Sequence, residues 1–134
     1  MRSSIILTFS FLSVLFAQTQ LGSDIDGEAA NDKSGYSVSL NSDGDRVAIG
    51  ARYNDGSGTD AGHVRIYEYS SGSWSQLGSD IDGEAANDES SYKAVSLNSA
   101  GDRVAIGAYF NDGTDTNAGH VRIYEYSSGS WSQL

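Results

Sequence analysis

Cysteine and proline are both missing from the 134 residues, and basic side chains are scarce. Eight Lys and Arg stand against 18 Asp and Glu, a formal net charge of −10. Without cysteine there is no disulfide framework, no thiolate metal site and no cysteine nucleophile. The acidic excess argues against nucleic acid, whose phosphates demand a basic footprint. Hydrophobic residues reach only 38%, yet aromatics at 10% and regular β-branched runs point to packed strands rather than disorder. No Gly-rich phosphate loop, no Gly-x-Ser-x-Gly elbow and no Asn-x-Ser/Thr sequon occurs.

What is present begins with an address. Met1-Arg2-Ser3-Ser4 carries one positive charge, Ile5 to Phe16 is an apolar stretch, and Ala17 precedes the polar Gln18-Thr19-Gln20. That order predicts a secretory signal peptide over residues 1–17. A membrane span needs about 20 apolar residues, and this run is much shorter. Removal of Arg2 with the leader takes the formal charge from −10 to −11. The expected product is exported and has no later segment able to span a bilayer.

The rest is one unit written twice. Gln20–Ser75 and Gln76–Ser132 align with nine substitutions and one inserted residue, which places one repeat at 18–75 and a second at 76–134. Each copy reads as four short strands. Tyr36 to Leu40 alternates strictly, Arg46 to Ala51 is small and apolar, His63 to Tyr69 carries Val64 and Ile66 opposite Tyr67 and Tyr69, and Ser73 to Leu77 is edge-like. Asn41-Ser42-Asp43-Gly44 and Ser70-Ser71-Gly72 are turns between them, and Gly78 to Ser91 is expected to be a long acidic connection. The fold class is therefore all-β: two four-stranded antiparallel blades of a β-propeller, with a β-sandwich as the alternative. In the second copy Tyr92-Lys93-Ala94-Val95 has one residue more than its counterpart, which predicts a β-bulge at Lys93-Ala94.

Asp32-Lys33-Ser34-Gly35-Tyr36-Ser37-Val38, Val47-Ala48-Ile49-Gly50-Ala51 and Gly62-His63-Val64-Arg65-Ile66-Tyr67 resemble FG-GAP repeats, the units of integrin alpha-chain propellers. The second copy matches through Asp88 to Val95, Val104 to Ala108 and Gly119 to Tyr124. The name-giving residues are degraded: Phe-Gly is Ser34-Gly35 and then Ser90-Ser91, and Gly-Ala-Pro is Gly50-Ala51-Arg52 and then Gly107-Ala108-Tyr109. The resemblance implies calcium in the loop between the first two strands, where the nearest positions are Asn41, Asp43 and Asp45 beside Gly44. Calcium takes 6–8 oxygen ligands, and copy two replaces Asp43 with Ala100, so a hairpin turn is the preferred reading. The acidic loops around Asp24, Asp26, Glu28 and Asp32, and from Asn54 to Asp60, read as solvated connections rather than metal sites.

No catalytic constellation stands out. His63 and His120 occupy equivalent places and repeat with the fold, while Glu89 and Lys93 read as surface substitutions. The resemblance implies a secreted, non-catalytic binding or adhesion module that contacts a protein or glycan through its loops, where Arg52/Tyr109 and Tyr53/Phe110 vary. The alternatives are a purely structural repeat, or a lectin-like propeller that closes by self-assembly. Propellers typically close with 4–8 blades. Two blades ending in Gln133-Leu134, where a third copy would start, are expected to be a fragment of a longer propeller or a homo-oligomer.

Overall fold

The computed structural model describes residues 18–134, so the signal peptide expected over 1–17 lies outside the described residues. Among the described residues every regular element is a strand. Strands β1 (Ser34–Leu40), β2 (Arg46–Ala51), β3 (His63–Ser70) and β4 (Ser73–Gln76) form one antiparallel sheet in chain order. After the two-residue β5 (Ile81–Asp82), strands β6 (Ser90–Leu97), β7 (Arg103–Ala108), β8 (His120–Ser127) and β9 (Ser130–Gln133) form a second. The turns follow from local chemistry. At the β3–β4 hairpin Ser70 pairs with Ser73, and the two residues between them, Ser71 and Gly72, have φ of 52° and 87°. Positive φ at both central positions is the type I′ geometry, whose twist suits a two-residue hairpin.

One expectation needs correction. The connection from Gly78 to Ser91 is not all loop, because β5 pairs with β3, His63 opposite Asp82 and Val64 opposite Ile81. The cause lies in strand lengths. β4 covers only Tyr67 to Ser70 of the longer β3, which leaves the backbone of His63 and Val64 open on that edge. Leu77 N–H donates to the Ile66 carbonyl at 2.8 Å, and β5 then takes the remaining positions. The second sheet is built alike: Leu134 N–H donates to the Ile123 carbonyl at 2.9 Å.

The bulge is where the inserted residue placed it. Ser90 pairs with Ala108, yet the next pair is Val95 with Ile106, so the ladder is broken through Lys93 and Ala94. Lys93 has φ of 55° and Ser91 of 73°. The first sheet has a smaller irregularity between Ser34 and Ser37, so the insertion enlarges a defect that both copies carry. Past it the registers agree, Val38 opposite Ile49 and Val95 opposite Ile106.

The core sits between the sheets. Ala48, Val64 and Ile66 from the first face Val104, Ile106 and Tyr124 from the second, with Ile81 of β5 closing one side. Because side chains alternate across a strand, the two copies use opposite faces of the same sequence. Val64 and Ile66 are 0% and 1% exposed, while their counterparts Val121 and Ile123 are 67% and 47% exposed. On the other face Val38 and Leu40 are 62% and 59% exposed, whereas Val95 and Leu97 pack against the core. Small residues let the innermost strands approach: Ser37 Oγ donates to the Ser91 carbonyl at 2.8 Å, and Leu97 N–H to Ser39 Oγ at 3.0 Å.

One sequence with two environments supplies an internal control. Ile66→Ala leaves a cavity between the sheets and is expected to lower stability by about 2–5 kcal/mol. Ile123→Ala, in the same local sequence, is expected to cost less than about 1 kcal/mol. Urea midpoints of the two variants, read at concentrations where the chain is monomeric, check this; equal costs would mean that the sheets do not stack in this order.

Candidate functional site

The residues singled out for calcium form a closed turn. Asn41 Oδ1 accepts from Asp45 N–H at 3.1 Å and Arg46 N–H at 3.0 Å, and Asn41 Nδ2 donates to Asp45 Oδ1 at 2.7 Å. Asn98 and Asp102 repeat these bonds with Ala100 at the place of Asp43. The structure thus brings Asn41 and Asp45 together and leaves Asp43 exposed outside their contact. A side-chain oxygen that accepts two backbone N–H groups is an Asx-type closure, which needs no Asp43.

The reading of the other acidic loops as solvated connections holds for Asp24 and Asp26, which are exposed, and fails for Asp32 and Asp88. Both are buried: Asn54 Nδ2 donates to Asp32 Oδ2 at 2.9 Å, and Asn111 Nδ2 to Asp88 Oδ2 at 2.7 Å. Each pair locks the approach to the first strand against the loop that follows the second. These carboxylates organise the loops, because a buried polar group without a partner is costly.

At that end of the sheets the two copies diverge. Eight of their nine substitutions fall at the start of the first strand or in the loop after the second, with Asp43/Ala100 the exception. Ser34 pairs with Ala51 and Ala51 with His63, so both segments occupy one rim. Arg52 is its centre. The guanidinium lies 4.4 Å from the Tyr36 ring centre, 4.0 Å from that of Tyr53 and 4.7 Å from that of Tyr92. Tyr36 and Tyr92 stack at 5.5 Å between centres, and Tyr92 continues to Phe110 at 6.1 Å and Tyr109 at 6.2 Å. A cavity of about 450 Å³ opens beside Tyr92 and Tyr109, bounded by Ala94 and His120.

Glu89 also departs from its reading as a surface substitution. Its Oε2 accepts from Arg52 Nη1 at 2.8 Å, and the two side chains are largely buried. The sequence carried an unused signal here: where copy one has Lys33 and Arg52, copy two has Glu89 and Tyr109. The charge reversal at the first position lets an acid of one repeat meet the base of the other. Lys93 remains exposed, and its ammonium, 5.0 Å from the Tyr92 ring centre, holds that phenol below its ordinary range.

The Arg52–Glu89 pair makes charge reversal informative. Glu89→Lys sets two cations together in a largely buried place and is expected to cost about 3–5 kcal/mol. Lys33→Glu, on the exposed counterpart position, is expected to stay within about 0.5 kcal/mol of the parent. Denaturant unfolding of both variants reads the difference, and equal effects would break the assignment of Glu89 to Arg52.

Comparison of the whole chain with curated proteins gives no match. Residues 24–67 match the model of the FG-GAP repeat. That stretch runs from the acidic approach through β1 and β2 into β3, and so spans both segments of the rim in the first copy. The first copy is thus similar to an FG-GAP repeat, and the second restates the matched stretch with a handful of substitutions and one inserted residue.

Proposed function

We propose that this is an exported, non-catalytic binding module of β-propeller type that presents the Arg52-centred rim to an extracellular protein. The observation that carries the reading is where the copies differ. Sheets, turns and core are repeated almost unchanged, and substitution gathers on the aromatic rim. Variation on loops held by a constant scaffold is the pattern of a recognition surface. Tyr and Arg are the side chains that most often dominate protein contacts, since they bring large area with few rotatable bonds and a polar tip. A glycan is the alternative partner for the same rim. Export rests on the leader-like order of residues 1–17. The absence of catalytic work rests on the histidines, which recur with the fold at the start of β3 and β8.

Residues 18–134, immobilised and challenged with extracellular protein fractions and with a printed glycan array, test the reading. Saturable protein retention is expected, reduced at least tenfold by Tyr92→Ala with Tyr109→Ala. Retention on glycans alone would change the partner class. No retention on either, or retention indifferent to both substitutions, would leave a structural repeat.

A second reading concerns assembly. The exposed pairs Val121/Ile123 and Val38/Leu40 match, position for position, the two faces already buried against each other between the sheets. A second copy would therefore meet a surface whose partner it carries, head to tail, and contacts of that kind close into rings. The native mass of residues 18–134 is expected to be a multiple of the monomer and to fall to the monomer with Ile123→Asp. A parent chain that stays monomeric at high concentration would exclude it.

A further inference from the structure

Three segments meet at the outer corner of the first sheet. His63 opens β3, Glu28 lies on the chain leading to β1, and Asp80 lies between β4 and β5. His63 Nδ1 stands 3.7 Å from Asp80 Oδ2 and 3.9 Å from Glu28 Oε2, and the three donor atoms lie within 4.8 Å of one another. The imidazole is 2% exposed, and Nδ1 has no hydrogen-bond partner. Buried ring nitrogens are ordinarily paired. This one points at two carboxylate oxygens, each beyond hydrogen-bond reach.

We propose that His63, Glu28 and Asp80 bind a divalent transition-metal ion of the zinc type. One imidazole nitrogen and two carboxylate oxygens are a borderline donor set, suited to a small ion with a water in the fourth position. Calcium and magnesium favour oxygen donors only. Zinc ligands at the usual bond lengths would stand about 3.4 Å apart in a tetrahedron. The separations from Nδ1 therefore need to close by a few tenths of an ångström. Both carboxylates keep part of their surface in water, so they can move and the ion has a way in.

The surroundings fit a ligand role. Burial lowers the His63 pKa, opposed by Asp80, so the ring is held toward its neutral form. Arg65 Nη1 lies 3.3 Å from Glu28 Oε1, the oxygen turned away from His63. Glu28 can thus ligate through one oxygen while the guanidinium orients the other, the support that metal-bound carboxylates commonly receive. In the second repeat His120 Nδ1 lies 3.5 Å from Glu84 Oε2, but no third carboxylate joins them among the described residues. Residues 18–134 therefore offer one complete three-donor set. An ion there would tie the approach to the first sheet to the connector that leads into the second.

Chelator-treated chain 18–134 titrated with zinc chloride in a calorimeter tests this. One ion per chain is expected, with the Kd raised at least tenfold in Glu28→Gln and in Asp80→Asn. These positions are partly exposed, so both variants are expected to fold, as circular dichroism checks. The thermal midpoint is expected to rise with zinc in the parent and not in Asp80→Asn. His120→Gln is expected to leave binding unchanged, and equimolar calcium to displace nothing. No binding, binding indifferent to both carboxylate variants, binding lost in His120→Gln, or displacement by calcium would each overturn the proposal.

Discussion

A strand that is apolar on both faces must be covered twice, and the architecture follows from that demand. β2 and β3 carry Ala48, Val64 and Ile66 on one side and Val47, Ile49 and Tyr67 on the other. A single sheet of this composition would leave one side in water whichever way it turned. Stacking two copies solves the problem once, burying the first face of one sheet against the second face of the other. Fully burying a branched aliphatic side chain contributes about 1.5–3 kcal/mol, so the shared layer outweighs the few polar bonds that cross it. Those bonds set the register instead: Ser37 to Ser91 and Ser39 to Leu97 align the innermost strands.

Much of this was legible because it is local. Alternation in Tyr36 to Leu40, the Asn41 turn and the Ser71-Gly72 hairpin are written within a few residues, and the extra residue at Lys93-Ala94 announces its bulge. Pairings between distant segments were not legible. β5 is two residues long and takes its identity from the uncovered edge of β3 rather than from its own pattern. Asp32 reads as solvated until the fold brings Asn54 to it, and Glu89 reads as surface until Arg52 of the other repeat arrives. The approach of His63 to Glu28 and Asp80 likewise joins three places far apart in the chain. Acidic residues in loops look alike in a sequence; their partners separate the structural ones from the solvated ones.

The two ends of the sheets obey different rules. The hairpin end, with Asn41–Asp45 and Asn98–Asp102, is built from the same bonds in both copies and tolerates only Asp43/Ala100. The opposite end holds the other eight substitutions, the bulges and most of the non-glycine residues with positive φ, Lys33, Asp60, Glu89 and Lys93 among them. Left-handed backbone at such residues persists where the surroundings enforce it. Here the latches Asp32–Asn54 and Asp88–Asn111 provide that enforcement, so loop identity can change while loop shape is held.

The connector has a consequence for how such a chain is made and enlarged. β5 is encoded at the start of the second copy yet completes the edge of the first sheet. The unit of duplication and the unit of structure are therefore out of phase by several residues. During synthesis the first sheet cannot finish until the opening of the next copy has emerged, which couples the folding of neighbours in order. A copy added by gene duplication would arrive carrying the stitch for its predecessor, so growth of the array would need no new linker.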